Sequence, residues 1–254
     1  MAPELLYDAA IPQVLDCFRE MRILAIDTST RAGGAAILRD DSLLEHVFDK
    51  SQEEFSSLLF RWVNSLLDRT RLKLSDFDLF AVAVGPGSFT GLRVGLTAAK
   101  AWAEVFKKPI AAVSGLEAIA AQVARVDGGE ELLAVVTNAR RGQIFGASYE
   151  TLKGRWVRKG EEVLTSADEF FEEVSRQAGG RNVMVATPEA GLVQVALASS
   201  KLKESPIRIV SEDLAPWIGR LAYGKAQRGE LVDALTLDAE YVRRSDAEQY
   251  WKDS

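Results

Sequence analysis

Cysteine and histidine are almost absent from this chain of 254 residues, which contains one of each, Cys17 and His46. A single cysteine excludes a framework of internal disulfides and suits a reducing compartment, so we expect a cytoplasmic protein. A single histidine argues against metal sites, general bases and catalytic triads that are built on this residue. The composition therefore counts against most common kinds of enzyme.

Long apolar runs are also missing. The longest stretches, such as residues 79–84, fall far short of the roughly 20 residues that cross a bilayer. The N-terminus carries Glu4 and Asp8 and lacks the basic and apolar regions of a secretory signal. With 47% hydrophobic and 27% charged residues, the composition is that of a globular protein, and we expect no membrane partner.

The chain has no excess of basic residues. Its formal net charge is -6, and residues 22–118 contain 12 basic and 12 acidic side chains. A protein that binds nucleic acid by itself neutralises phosphates with a basic surface. The charge distribution therefore argues against independent binding of RNA or DNA.

The first half of the sequence reads as three strands, a helix, a strand, a helix, a strand and a helix. Short apolar runs predict the strands, and apolar residues at helical spacing predict the helices. In order, we expect strands at 22–27, 33–38 and 43–48, a helix at 53–68, a strand at 77–84, a helix at 92–106, a strand at 110–113 and a helix at 116–123.

The second half repeats this order. We expect strands at 132–138, 143–149 and 156–164, a helix at 166–177, a strand at 183–186, a helix near 188–199, a strand at 207–210 and a helix near 216–228. Ser166 is the predicted N-cap of its helix, with Glu169 completing a capping box. Two similarly ordered α/β halves predict a duplicated fold with a cleft between its lobes, at residues 21–118 and 119–254.

Residues 1–20 stand outside this repeat. Ile11, Val14, Leu15 and Phe18 fall at helical spacing, which predicts a short amphipathic helix packed on the body. Met21 immediately precedes the first core strand. Two alternatives stay open: Met21 is the natural first residue, or the segment is a lineage-specific extension.

Polar residues follow the first predicted strand directly. In Asp27-Thr28-Ser29-Thr30, a carboxylate can orient a hydrated magnesium ion, while hydroxyl and backbone N–H groups meet phosphate oxygens. Alternatively, Ser29 and Thr30 satisfy backbone groups of a turn. This short pattern favours the turn, and it keeps Asp27, Ser29 and Thr30 as candidates for a vestigial phosphate loop.

A glycine-rich stretch, GPGSFTG at residues 85–91, leads into the second predicted helix. Its glycines permit close backbone approach or positive φ, and Ser88 or Thr90 can cap the helix. It lacks the Gly-Lys-Ser/Thr ending of a Walker loop. The spacing favours a strand-to-helix turn over a phosphate cradle, with Gly85, Gly87 and Ser88 as candidates for a second vestigial phosphate loop.

The remaining polar candidates favour structural roles. His46 lies in an alternating strand, which predicts a surface or interface histidine. Arg140 and Arg141, together with Lys153, Arg155, Arg158 and Lys159, are most simply the solvated faces of a hairpin. A weak contact of these cations with RNA inside a larger complex stays open.

Two helices carry more apolar surface than one packed face requires. At 55–67, Phe60, Val63 and Leu67 add a second apolar stripe, and at 92–106 bulky residues alternate with small ones. A helix that is apolar on two sides usually has two packing partners. We therefore expect a protein–protein interface that uses Phe55, Leu58, Leu59, Trp62, Leu66, Leu92, Gly95, Leu96, Ala99 and Trp102. A charge at Leu59 or Ala99 is expected to weaken association and leave the monomer folded.

Several of these stretches occur together in one known family. RILAIDTST at 22–30, VGPGSFTGLRVG at 84–95 and PIAAVSGL at 109–116 are followed by NARRGQIF at 138–145 and YVR at 241–243. In this order they resemble the bacterial TsaB family, formerly called YeaZ, over residues 21–244. The glycine-rich motif after an Asp-Thr-Ser-Thr strand is the most specific part of the match.

The resemblance implies an actin-like, ribonuclease-H-like ASKHA fold of two lobes. It also implies a role in forming N6-threonylcarbamoyladenosine beside the anticodon of tRNAs that read codons beginning with adenine. In that family TsaB is the non-catalytic partner of the transferase TsaD, and the ATPase TsaE joins them. The implied partners are a TsaD-like subunit in a heterodimer, a TsaE-like ATPase, tRNA only within the complex, and a second copy of the chain when it is alone.

The residues agree with a pseudoenzyme without cofactor, metal site or catalytic residues. The metal motif of TsaD needs two histidines on one helix, and the corresponding helix here has Phe55 and no histidine. Asn138 stands where the family commonly has an aspartate. These departures remove the groups that would face a metal or a phosphate.

Two enzymatic roles are alternatives to this one. A small ASKHA-type kinase or phosphotransferase would use Asp27 and the 85–91 loop on ATP, but Asn138 and the lack of a clear adenosine-binding Gly-Gly motif count against it. A ribonuclease-H-type nuclease needs several convergent carboxylates around two metal ions, and only Asp27 is well placed.

Overall fold

The computed structural model describes residues 20–51, 53–123, 130–152, 155–239 and 242, which form two five-stranded sheets with helices. The segment 1–19, including its predicted helix, and Lys153 lie outside the described residues. The first half contains β1 Arg22–Asp27, β2 Gly33–Arg39, β3 Ser42–Asp49, α1 Phe55–Thr70, β4 Leu79–Gly85, α2 Phe89–Phe106, β5 Ile110–Ser114 and α3 Gly115–Ala120. The second half contains β6 Glu130–Arg140, β7 Gln143–Leu152, β8 Arg155–Thr165, α4 Ala167–Ala178, β9 Asn182–Thr187, α5 Gln194–Ser199, β10 Ile207–Ile209 and α6 Ala215–Gln227.

Both sheets have the same topology. The first has the order β3-β2-β1-β4-β5, in which β1 pairs antiparallel with β2 and parallel with β4. The second has the order β8-β7-β6-β9-β10, with β6 antiparallel to β7 and parallel to β9. This confirms the predicted fold class of an α/β protein with two duplicated lobes.

The helices divide the apolar core into three clusters. One contains α1, α2 and one face of the first sheet. A central cluster joins the other face of that sheet to α3, α6 and the second sheet, and a third lies between the second sheet, α4 and α5. The boundary at residues 118 and 119 stays a prediction, but α6, which the sequence assigns to the second lobe, packs on β1 and β2 of the first.

Helix ends follow from local capping. Ser88 accepts a hydrogen bond from the Gly91 N–H, so α2 begins at Phe89, three residues before the predicted start. The capping box of Ser166 and Glu169 is present at α4, as predicted. None of the described helices combines the length and the apolar character that crossing a bilayer requires.

Candidate functional site

A cleft runs between the two lobes at the ends of β1, β4 and β6. Its main cavity has a volume of about 450 Å³, and a neighbouring cavity of about 220 Å³ shares part of its wall. The residues that border both cavities are Ser29, Thr30, Arg31, Pro86, Thr137, Asn138 and Arg140. The cleft thus brings together the turn after β1, the loop after β4 and the end of β6, as the predicted duplication requires.

Asp27 ends β1 and is almost completely buried, with 1% of its surface exposed. The N–H and Oγ of Ser29 donate to its Oδ1 at 2.9 and 2.7 Å. Its Oδ2 is buried with no hydrogen-bond partner in the described structure. Burial, opposed by the hydrogen bonds from Ser29, raises the pKa of the Asp27 carboxyl to about 6.

The two predicted phosphate loops close on each other. The Ser88 N–H donates to the Ser29 carbonyl at 2.7 Å, and Thr28 Oγ1 donates to the Gly91 carbonyl at 2.7 Å. A Cβ on Gly87 would lie only 2.1 Å from the Ser29 oxygen, so this close approach requires glycine. The backbone groups of Ser29 and Ser88 are therefore engaged in hydrogen bonding between the two loops. This agrees with the favoured interpretation of residues 85–91 as a capped turn.

Phe55 occupies the first position of α1, where the ring packs edge-on against Trp62 with centroids 5.8 Å apart. A Cβ on Gly33 would meet the Phe55 ring at 2.7 Å, and one on Gly91 would meet it at 3.3 Å. The Trp62 indole donates to Asp49 Oδ2 at 3.2 Å. An aromatic cluster thus fills the space beside the start of α1.

The second lobe contributes an amide and a guanidinium to the cleft. Asn138 Nδ2 donates to Glu189 Oε2 at 3.1 Å, and the Arg140 N–H donates to Asn138 Oδ1 at 2.8 Å. Arg141 is exposed beside them in the β6–β7 turn, as the hairpin interpretation predicts. Glu189, which sequence reasoning missed, fixes the orientation of Asn138.

His46 lies on β3 and is partly exposed, which confirms the prediction of a surface strand histidine. Its Nε2 is 3.2 Å from Asp213 Oδ2, and the neighbouring Lys50 pairs with Glu212 at 2.6 Å. Burial raises the pKa of the Asp213 carboxyl, an effect that His46 opposes. Within the described ranges, no group of three or more histidine, cysteine, aspartate or glutamate side chains is arranged to hold a metal.

Comparison with known proteins places these features in one family. The model of the family TsaD, tRNA N6-adenosine threonylcarbamoyltransferase, matches residues 46–213. The TsaB protein of Escherichia coli, named for tRNA threonylcarbamoyladenosine biosynthesis, is 33% identical over 168 residues, which are 66% of this chain and 71% of that protein. The chain belongs to the TsaB (YeaZ) family.

Further relatives agree with this assignment. The Bacillus subtilis TsaB protein is 39% identical over 134 residues, 53% of this chain, and the match spans only 57% of that protein. The crystal structure of YeaZ from Pseudomonas aeruginosa is 25% identical, with a TM-score of 0.69 and coverage of 87% of this chain and 99% of that one. A second Pseudomonas aeruginosa structure, of an uncharacterized protein with similarity to the peptidase YeaZ, reaches a TM-score of 0.73 at 25% identity, with coverage of 88% and 100%.

The interface residues predicted for this TsaB family member need a correction. All but the half-buried Phe55 are buried in the core of the first lobe: Leu58, Leu59, Trp62, Leu66, Leu92, Gly95, Leu96, Ala99 and Trp102. Leu59 and Ala99 are 0% exposed, so a charge there would disrupt the monomer, contrary to the expectation. Gly95 lets α2 approach β1, since a Cβ there would lie 2.6 Å from Thr28 Oγ1. Sequence periodicity marked the apolar faces correctly but could not show that the lobe's own sheet covers them.

The exposed apolar residues of these helices are different ones. Phe60 on α1 is 54% exposed and contacts Trp102 edge-on, with ring centroids 6.5 Å apart. Val105, one turn beyond Trp102 on α2, is 71% exposed. We call Phe60 and Val105 the α1–α2 patch.

Proposed function

We propose that the chain is a non-catalytic subunit needed to form N6-threonylcarbamoyladenosine beside the anticodon of tRNAs that read codons beginning with adenine. It would bind and regulate a TsaD-like transferase, together with a TsaE-like ATPase. Membership of the TsaB family supports the pathway. The observation that carries the non-catalytic role is the packing at the cleft, where the loop after β4 closes onto Ser29 and Phe55 occupies the start of α1.

The α1–α2 patch is the proposed contact surface for the TsaD-like subunit. An exposed phenylalanine and an exposed valine on adjacent helices are suited to a hydrophobic interface, whose centre usually excludes charge. When the chain is alone, the same patch would join two copies in a homodimer. Since the net charge is -6, contact with tRNA would take place only within the complex.

Depletion in the native organism tests the pathway. The expected result is a loss of threonylcarbamoyladenosine from bulk tRNA, measured by mass spectrometry of digested nucleosides, and its recovery on expression of the wild-type chain. Unchanged threonylcarbamoyladenosine after depletion would show that the proposed function is wrong.

The purified chain is expected to show no phosphoryl transfer from ATP to sugars or carboxylates. Measurable phosphoryl transfer from ATP would favour the kinase alternative.

The interface is tested with the double variant Phe60→Asp/Val105→Asp. Both side chains are more than half exposed, so the variant should stay folded, with a Tm lowered by only a few degrees through loss of the Phe60–Trp102 contact. Its affinity for the co-expressed TsaD-like subunit should fall by at least tenfold, and its own dimer should dissociate. Val195→Asp is the matched control, because Val195 is an 80% exposed valine on α5 in the other lobe. Equal affinities for the double variant and the control would exclude the α1–α2 patch as the interface.

A further inference from the structure

His46, the only histidine of the chain, joins two segments that are distant in sequence. It lies on β3, and its Nε2 is 3.2 Å from Oδ2 of Asp213, in the segment between β10 and α6. A second pair joins the same two segments, because Lys50 Nζ is 2.6 Å from Glu212 Oε2. An imidazole ordinarily changes its charge near neutral pH, whereas lysine and glutamate side chains do not. The contact between β3 and the segment before α6 therefore contains one pair that responds to pH beside one that does not.

The other charged groups around His46 are engaged with one another or with the backbone. Arg69 of α1 donates to the His46 carbonyl at 3.2 Å, and its positive charge is offset by Glu45 Oε1 at 3.8 Å. Glu45 also accepts the His46 N–H at 3.0 Å. Arg220 of α6 donates to the backbone of the β2–β3 turn, and β2 places the uncharged Ala36 opposite His46. The imidazole itself is therefore in contact with the carboxylate of the segment before α6.

Asp213 also interacts with the buried carboxyl of Asp27. Asp213 Oδ1 and Asp27 Oδ2 are both buried, and neither has a hydrogen-bond partner among the described residues. Burial is the main cause of the raised pKa of Asp27, about 6; hydrogen bonds from Ser29 oppose it, and the charge of Asp213 adds to it. Burial also raises the pKa of the Asp213 carboxyl, and the charge of His46 opposes this effect. The ionised form of Asp213 is therefore most favourable when His46 is positive and Asp27 is neutral.

We propose that protonation of His46 strengthens the contact between β3 and the segment before α6, so that this segment opens less often in acidic than in alkaline solution. A rise in pH removes the positive charge of the imidazole and adds a negative charge at Asp27. Both changes weaken the His46–Asp213 pair, so their effects have the same sign. Because Glu212 and Leu214 border the cavity of about 220 Å³, protonation of His46 acts on one wall of the cleft. This pH response goes beyond the proposed function and does not depend on it.

Hydrogen exchange in the full chain, measured by NMR, tests this response. The amides of Ser211 and Asp213 donate hydrogen bonds within the segment, so their protection factors report how often it opens. After correction for the intrinsic exchange rate, we expect protection at about pH 5.5 to exceed that at about pH 8 by about two- to fivefold, as for a partly exposed ion pair. The change should follow the protonation of His46, which the ring-proton signals of the single histidine report in the same samples.

Three variants separate the contributions to this response. His46→Gln keeps a polar side chain at a partly exposed position and should lose most of the pH dependence. Lys50→Gln is the matched control, because it removes the neighbouring pair and should lower protection by a similar factor at both pH values. Asp27→Asn removes the second titrating group and should keep part of the response. A pH dependence in His46→Gln equal to that of the wild type, or its complete loss in Asp27→Asn, overturns the proposal.

Discussion

Asp27 shows how burial changes the chemistry of a single residue. From the sequence it resembles a magnesium-orienting carboxylate, but in the folded chain its Oδ1 accepts two hydrogen bonds from Ser29 and its side chain is almost completely buried. Burial of a charged group costs free energy that hydrogen bonds to one oxygen offset only in part. The ionised form of Asp27 is therefore a destabilising element of the first lobe.

We predict that Asp27→Asn changes the pH dependence of stability. Because folding raises the pKa of Asp27 from 3.8 to about 6, its contribution to stability is fully present below 3.8 and is lost as the pH rises through about 6. Between pH 4 and 7.5 the asparagine variant should gain up to about 3 kcal/mol relative to the wild type, from about 1.36 kcal/mol per pH unit. Urea unfolding at a series of pH values measures this difference. A difference that stays constant with pH would contradict the raised pKa.

At the scale of elements, the turn after β1 and the start of α2 form one packed unit. The Ser88 N–H donates to the Ser29 carbonyl, and the Thr28 side-chain hydroxyl donates to the Gly91 carbonyl. Side chains would separate these backbones, so small residues are required where they touch. This gives the glycine-rich motif a packing role in this chain.

Gly87→Ala tests this packing. A Cβ at Gly87 would lie 2.1 Å from the Ser29 oxygen, so the backbone must shift, and we expect a loss of about 1–3 kcal/mol in the free energy of unfolding. Gly191→Ala is the matched control, because a Cβ there meets nothing within 4 Å, and it should change stability by less than about 0.5 kcal/mol. Urea denaturation measures both. Equal stability of the two variants would exclude a steric role for Gly87.

At the scale of the whole molecule, polar contacts hold the segment around α3 against the second lobe. Gln122, just after α3, exchanges two hydrogen bonds with the backbone of Ser211 before α6, at 3.0 and 2.8 Å. The Trp156 indole donates to the Val123 carbonyl at 3.1 Å, and Ser114 contacts Glu162 on β8. The central apolar cluster contains residues of both sheets and so joins the two lobes.

Gln122→Ala should loosen this connection. Loss of two hydrogen bonds is expected to lower the free energy of unfolding by about 1–2 kcal/mol and to speed exchange of the Ser211 amide by about tenfold, as measured by hydrogen–deuterium exchange. Gln227→Ala, an exposed change near the end of α6, is the control and should leave both unchanged. Unaltered exchange at Ser211 in the Gln122 variant would show that the segment is held by other contacts.

The sequence by itself determined the order of elements, the duplication and the capped starts of α2 and α4. These features depend on local patterns: apolar periodicity, turn residues and cap side chains act within a few positions of the chain. The family resemblance rests on the same kind of information, because motifs such as residues 85–91 are contiguous. Boundaries differed by a few residues, as at Phe89, where the cap at Ser88 decides the start of the helix.

Only the tertiary structure decided which side covers each apolar face and which polar groups meet. Periodicity identifies the apolar side of α1 and α2, but it cannot distinguish the lobe's own sheet from a partner, so Leu59 and Ala99 are core residues and Phe60 and Val105 are exposed. Periodicity also could not show that α6 packs on the first sheet. Arg31 and Arg140 border the same cleft only because the two lobes fold against each other.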